Sequence, residues 1–205
     1  MTAFPMERQA TAVVTIDMHR GHLDPTVATM PLPDEAAARV TAANKVLIDA
    51  ARSRGVAVIH VVTSYHDVSE ISSNPWWAQV AGTDATRSNV LAHQLPGSPG
   101  LDVMPGLLEP ADVVVYNKKR YDCFAATELD HVLRSRGIRT LLLTGVNTNS
   151  CVLATTVSAN ARDYAAVVVE DCVDTMDRSL HEPALSLIRQ AFGWTVSTRE
   201  ILAAL

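Results

Sequence analysis

The sequence predicts a three-layer α/β fold, a mainly parallel sheet with helices on both faces. Short, β-branched, uninterrupted apolar runs alternate with stretches of helical periodicity along the whole chain, and Gly or other turn formers separate the two kinds of segment. At 205 residues, 48% hydrophobic and 19% charged, the chain can bury one substantial core, and no compositional break divides it. A single domain over residues 1–205 is expected.

Residues 12–16, Ala-Val-Val-Thr-Ile, read as the first strand, because a strand covered on both faces is a continuous apolar run. Residues 33–53 carry Ala36, Val40, Ala43, Leu47 and Ala51 at helical spacing, and Gly55 closes that helix. Residues 56–62 form the second strand. Residues 64–111 are polar and rich in Pro and Gly, as in Asn74-Pro75-Trp76-Trp77 and Pro96-Gly97-Ser98-Pro99-Gly100. They have too few apolar residues for a core of their own, so they read as an irregular excursion with short helices that lines a pocket. Residues 113–116 are the third strand, followed by a helix over 125–136 with Leu129, Val132 and Leu133 on one face and Gly137 at its end. The fourth strand is 140–144, the next helix 150–163, the fifth strand 166–170, the next helix 180–192 and a short sixth strand 194–196. Six strands taking turns with helices imply a Rossmann-like parallel sheet, in which ligands bind beyond the carboxyl ends of the strands.

The bulk properties exclude several classes. Net charge is −5, with 17 basic and 22 acidic side chains, and the densest basic cluster is Lys118-Lys119-Arg120, so no nucleic-acid partner is expected. No apolar stretch approaches the ~20 residues that span a bilayer, and the N-terminus lacks a signal-peptide core, so no membrane partner is expected either. The three cysteines, an odd number, read as free thiols in a reducing cytoplasm.

Three side chains with chemistry fall at strand ends. Asp17 ends the first strand, Lys118 follows the third and Cys151 follows the fourth. Alone, the cysteine reads as a small core residue, the aspartate as a turn former and the lysine as part of a solvated face. At one edge of one sheet they make an acid, a cation and a nucleophile. Cys151 also opens a helical pattern, where unpaired N–H groups favour an anion, so the thiol is expected to be partly thiolate. Lowering its pKa by about two units takes ~2.7 kcal/mol, which one close ammonium and a helix end can supply. Asp17 can relay the thiol proton to a departing amine and then activate water. The backbone N–H groups of Asn147 and Cys151 can receive the developing oxyanion.

The flanks of these residues carry a family resemblance. They read Val14-Thr15-Ile16-Asp17-Met18, Lys118-Lys119-Arg120-Tyr121-Asp122-Cys123-Phe124 with Thr127-Glu128-Leu129-Asp130, and Leu143-Thr144-Gly145-Val146-Asn147-Thr148-Asn149-Ser150-Cys151-Val152 followed by Thr155-Thr156 and Asp163-Tyr164. In these the chain resembles the isochorismatase-like cysteine hydrolases, which include nicotinamidases, N-carbamoylsarcosine amidohydrolase and ureide amidases. The resemblance covers most of the chain and is weakest over residues 64–95. It implies strand order 3-2-1-4-5-6, Lys118 rather than Lys119 as the catalytic lysine, a cis peptide between Val146 and Asn147, and a homo-oligomer. That order leaves Lys118 two strands from Asp17, so its connecting loop is expected to reach back. Two departures stand out: Cys123 sits where the family more often has Ser or Ala, and Val157-Ser158-Ala159-Asn160-Ala161 replaces an Arg-Asp-Ala pattern.

The expected pocket residues are His22, Trp76, Trp77, Tyr121 and Phe124. Nicotinamidases hold a metal with an Asp-x-His pair and a further His. Here the Asp of Asp17-x-His19 is already the acid and the family's ligands lie further along the chain, so neither metal nor cofactor is expected. Aromatic residues without a clear Arg clamp favour a neutral or aromatic-edged small molecule. The expected activity is hydrolysis of an amide, carbamoyl or ureido C–N bond through a thioester on Cys151. The rivals are an isochorismatase-type vinyl-ether hydrolase, which generally lacks the cysteine, and a non-catalytic binding member of the same fold.

Overall fold

A computed structural model describes residues 4–85 and 87–205. Its centre is a six-stranded sheet in the order β3-β2-β1-β4-β5-β6, with every pair parallel. In chain order the elements are β1 (Thr11–Ile16), α1 (Arg20–Leu23), α2 (Asp34–Ser53), β2 (Ala57–Thr63), α3 (Val68–Ser72), α4 (Pro75–Val80), β3 (Val113–Lys118) and α5 (Leu129–Ser135). They continue with β4 (Thr140–Val146), α6 (Leu153–Asn160), β5 (Ala165–Asp174), α7 (His181–Ala191), β6 (Trp194–Val196) and α8 (Thr198–Ala204).

Side chains alternate across the central strands, and each face meets its own core. Val13, Leu142, Val167 and Val169 pack with Val40, Leu47 and Ile48 of α2 and Ile201 of α8. Val14, Ile16, Leu141, Leu143 and Val168 pack on the other face with Leu129 and Leu133 of α5, Ala159 of α6 and Leu185 and Ile188 of α7. This is why β1 and β4 carry no alternating polar residues: both faces are covered. Helix α2 has Asp34 and Glu35 in its first turn and Arg52 in its last, in keeping with its dipole, and Gly55 at φ +72° ends it.

Several boundaries differ from the sequence-based expectation. The helix expected over 125–136 begins only at Leu129, because Ala126 sits at φ +58° and the Thr127 hydroxyl accepts the Leu129 N–H at 3.2 Å. The helix expected from residue 150 to 163 is a wide π-type turn, Thr148–Val152, followed by α6, and it stops before Asp163 at φ +64°. β4 and β5 run on to Val146 and Asp174, which pair with each other after a register shift. Helices α1 and α8 were not expected.

The segment between β2 and β3 folds over the carboxyl ends of the strands. Its short helices bury Ile71, Trp77 and Val90 in a small third core with Met30 and Tyr65. Asn74 caps α4 by accepting the Trp76 and Trp77 N–H groups, with Pro75 in the first helical position. Among the described residues, no helix is long and apolar enough to cross a membrane.

Candidate active site

Four parallel strands end at one place. Asp17 follows the last residue of β1, Thr63 ends β2, Lys118 ends β3, and Asn147 follows β4. β1 and β4 are neighbours in the sheet although their connections run in opposite directions, which is the switch point where parallel sheets open a crevice. Ile16 lies opposite Gly145, and a Cβ on that glycine would stand 2.0 Å from the Ile16 carbonyl oxygen. Gly145, at φ +101°, therefore lets the ends of β1 and β4 approach. Asp17 is at φ +52°, a left-handed conformation that Asp tolerates better than most residues, and its N–H donates to the Val61 carbonyl at 2.9 Å.

Lys118 spans the strand between it and Asp17. The two residues are two strands apart, and the lysine side chain crosses above Thr63, its register partner on β2. No loop reaches back: the long side chain does so from the last residue of β3. Lys118 Nζ lies 2.6 Å from Asp17 Oδ2, 2.8 Å from Thr63 Oγ1 and 3.4 Å from Cys151 Sγ. The Thr63 N–H and hydroxyl both donate to Asp17 Oδ1, at 3.0 and 2.7 Å. Asp17, Lys118 and Cys151 are 1%, 2% and 4% exposed, so these contacts act with little solvent screening.

Charge is distributed unequally among the three. Burial works against the Asp17 carboxylate, but the Lys118 ammonium overrides it and holds its pKa well below the ordinary range. Burial likewise disfavours the Lys118 ammonium, yet Asp17 outweighs it and the pKa is raised. Burial pushes the Cys151 thiol up; Lys118 pulls it down, but Asp17 pushes it up again. This runs against the expectation of a partly ionised thiol. Burial and Asp17 outweigh Lys118 and Arg87, so the balance at rest favours Asp⁻, Lys⁺ and a neutral thiol. Cys151 lies in the π-type turn ahead of α6, and the Val146–Asn147 peptide is cis. The Asn147 side-chain oxygen accepts the Met176 N–H at 3.0 Å, and its carbonyl accepts the Ser150 and Val152 N–H groups, both at 3.1 Å.

The cleft over these atoms is narrow, with room for about 20 Å³, and is lined by Asp17, Lys118 and Cys151 together with His22, His93, Tyr65, Trp77, Tyr121, Arg87 and Arg120. Of the expected pocket residues, His22, Trp77 and Tyr121 face it, and the Trp77 indole N–H donates to the Tyr121 hydroxyl at 2.7 Å. Trp76 and Phe124 do not. Trp76 is on the outer side of α4 and 62% exposed, whereas Phe124 stacks on Tyr164 in the core. Sequence reasoning missed Thr63, which reads as one more β-branched residue in a strand, and the arginines. Arg87 stands 4.6 Å from the Tyr121 ring centroid and donates to Ser150 Oγ at 3.1 Å; Arg120 stands 5.0 Å from the Trp77 ring centroid. Two guanidinium groups in the lining stand against the expectation of a site without a clear Arg clamp.

This fold and site define a class, and comparison with known proteins identifies it. The isochorismatase domain family matches residues 11–200, so the chain belongs to the isochorismatase family. It is similar to the ureidoacrylate amidohydrolase RutB of Caulobacter vibrioides, with 31% identity over 96% of this chain and 91% of that one. Among solved structures it is similar to a cysteine hydrolase from Pseudomonas syringae pv. phaseolicola, at TM-score 0.85 and 25% identity over 98% of this chain and 94% of that one. It also matches an isochorismatase family protein from Burkholderia thailandensis, at TM-score 0.78 and 31% identity over 99% of both chains. The N-carbamoylsarcosine amidase of Thermoplasma acidophilum aligns at TM-score 0.72 and 25% identity over 92% of this chain and 96% of that one.

Proposed function

We propose that the protein is a cysteine hydrolase that cleaves a small ureido or carbamoyl acid at its C–N bond, with Asp17, Lys118 and Cys151 as its catalytic triad. The carrying observation is the single ammonium of Lys118, 2.6 Å from the carboxylate of Asp17 and 3.4 Å from the sulfur of Cys151, in a buried cleft. In this reading Cys151 Sγ attacks the carbonyl carbon while Asp17 takes the thiol proton. The oxygen's developing charge is received by the backbone N–H groups of Asn147 and Cys151. The C–N bond then breaks as Asp17 returns the proton to the nitrogen, which leaves as ammonia or an amine. Asp17 next accepts a proton from water, hydroxide adds to the thioester carbonyl, the C–S bond breaks to release the acid product, and Asp17 returns its proton to the sulfur. Lys118 stays charged throughout and compensates whichever partner is anionic, which a resting pair of Asp17 and neutral thiol allows.

The substrate class rests on Arg87 and Arg120, which place positive charge beside the cleft where a carboxylate can be paired. The ureidoacrylate amidohydrolase relatives carry the same chemistry in their name. An ammonia-release assay over ureido acids, neutral ureides and primary amides tests both parts. Ureido acids are expected to turn over best, and Cys151→Ala to lower kcat by roughly 10³-fold or more. Cys151→Ser should retain little. Full activity in the alanine variant excludes the covalent route, and turnover restricted to neutral amides excludes the role given to the arginines.

A further inference from the structure

The chemistry above makes no use of a cluster of three histidines beside it. His19 follows β1, His22 lies in α1, and His93 follows a short turn in the excursion, so separate segments bring the rings together. Ring centroids are 4.9 Å apart for His19 and His22, 4.7 Å for His22 and His93, and 5.6 Å for His19 and His93. All three are at least 97% buried, and one nitrogen from each lies within 4.8 Å of the others.

The outer hydrogen bonds decide which nitrogens turn inward. His22 Nδ1 is 2.7 Å from the Met30 carbonyl, which can only accept, so Nδ1 carries the proton and Nε2 keeps its lone pair. His93 Nδ1 is 2.7 Å from Thr29 Oγ1, and its buried Nε2 has no partner. Neither nitrogen of His19 has one. Its Nε2 is 3.5 Å from Asp17 Oδ1, beyond hydrogen-bond distance, and that oxygen already accepts twice from Thr63. A buried unpaired polar atom costs about 1–3 kcal/mol, and lone pairs that converge add repulsion. A bound cation removes the repulsion and gives one nitrogen of each ring a partner.

We propose that His19, His22 and His93 hold a divalent transition-metal ion, zinc by its donor set. Neutral imidazole nitrogens suit zinc, and three of them leave one coordination position open. His22 and His93 already have the outer partners that orient ligating imidazoles. Nitrogens now within 4.8 Å reach the roughly 3.3 Å spacing of a tetrahedral site by small ring rotations. The set is not the Asp-x-His pair and further His of nicotinamidases: it has no carboxylate, since both oxygens of Asp17 are held by Thr63 and Lys118. It runs against the expectation of a metal-free protein. His22 and His93 line the same cleft as Cys151, so an ion bound there supplies a Lewis acid to a carbonyl or water oxygen in the cleft.

The test uses untagged protein purified without chelators. Plasma mass spectrometry is expected to find about one equivalent of zinc or a similar metal per chain. After removal with dipicolinate, titration with Co²⁺ should restore a stoichiometric site with the visible absorption of a nitrogen-ligated ion. His22→Gln and His93→Gln should each weaken Co²⁺ binding by roughly 10²-fold or more, with circular dichroism reporting whether they fold. Cys151→Ala should load like the parent, so metal binding and covalent catalysis stand or fall separately. Parent protein that neither retains metal nor binds Co²⁺ stoichiometrically overturns the proposal, whatever the variants do. Folded His variants that bind as tightly as the parent overturn it too.

Discussion

Thr63 touches both charges of the site: its hydroxyl donates to Asp17 Oδ1 at 2.7 Å and accepts from Lys118 Nζ at 2.8 Å. Thr63→Val keeps the β-branched shape that β2 needs and deletes only that hydroxyl, leaving the carboxylate one donor short and the ammonium one acceptor short. The unpaired charges should cost about 1–3 kcal/mol of stability. Because the carboxylate and ammonium lose their fixed geometry, kcat should fall roughly 10–100-fold with KM nearly unchanged. Steady-state kinetics and urea denaturation check this, and an unchanged kcat removes Thr63 from a positioning role. Asp17, Lys118 and Cys151 were legible from sequence because each is a reactive residue type at a strand end, where a parallel sheet opens. Thr63 was not, since threonine is ordinary strand material. Nor was Arg87, whose position depends on how an irregular excursion folds back. Trp76 and Trp77 show the limit most directly: adjacent in sequence, they fall on different faces of a six-residue helix, one to solvent and one to the cleft.

Elements were legible where period and punctuation agreed. The central strands stood out because burial on both faces makes them continuous apolar runs, and α2 because a 20-residue amphipathic pattern ends at a glycine. Helix α8 was missed although Ser197-Thr198-Arg199-Glu200 carries the signal: Ser197 and Glu200 form a reciprocal capping box. The π-type turn before α6 has no comparable signal, because its hydrogen bonds depend on where β4 delivers the chain. That delivery rests on Gly145, at φ +101° with no room for a Cβ against the Ile16 carbonyl. Gly145→Ala must push β1 and β4 apart at the point where Asp17 and Cys151 meet. We expect a loss of about 3 kcal/mol or more in urea denaturation, together with most of the activity. Gly106→Ala is the control, since its φ of +82° is also positive but nothing lies within 4 Å of the added carbon. Its cost should stay near 1 kcal/mol. Equal losses in the two variants would mean that conformational strain alone, not the close approach of the strands, accounts for the Gly145 effect.

At the scale of the whole molecule, the sheet is tied to its helices by carboxylates that cannot be protonated without cost. Asp174, at the end of β5, is 1% exposed and pairs with Arg39 of α2 and Arg178. Burial works against its charge, but the Thr175 N–H, Arg178 and Arg39 hold its pKa below the ordinary range. Asp112, just before β3, pairs with Arg52 at the end of α2 and with His60 of β2. Burial again opposes the charge, and Arg52, the Glu109 N–H and His60 lower the pKa. His60 moves in the same sense for another reason, because burial disfavours its imidazolium more than Asp112 favours it. In each case the native state binds fewer protons than the unfolded chain, so acid must destabilise the fold. The His60 contribution is present above its unfolded pKa of about 6.5 and fades as pH falls below it. The aspartate contributions are present above about pH 4 and fade as pH falls through the depressed native values. The melting temperature should therefore be flat near pH 7, decline gently below about pH 6.5 and drop steeply below about pH 4. Asp174→Asn should lower stability at pH 7 but flatten the steep limb, because it removes a proton-linked group while leaving Arg39 and Arg178 without their carboxylate. Thermal melts of both proteins across that range check the sign, and an undiminished acid limb in the variant would assign the acid lability to other groups.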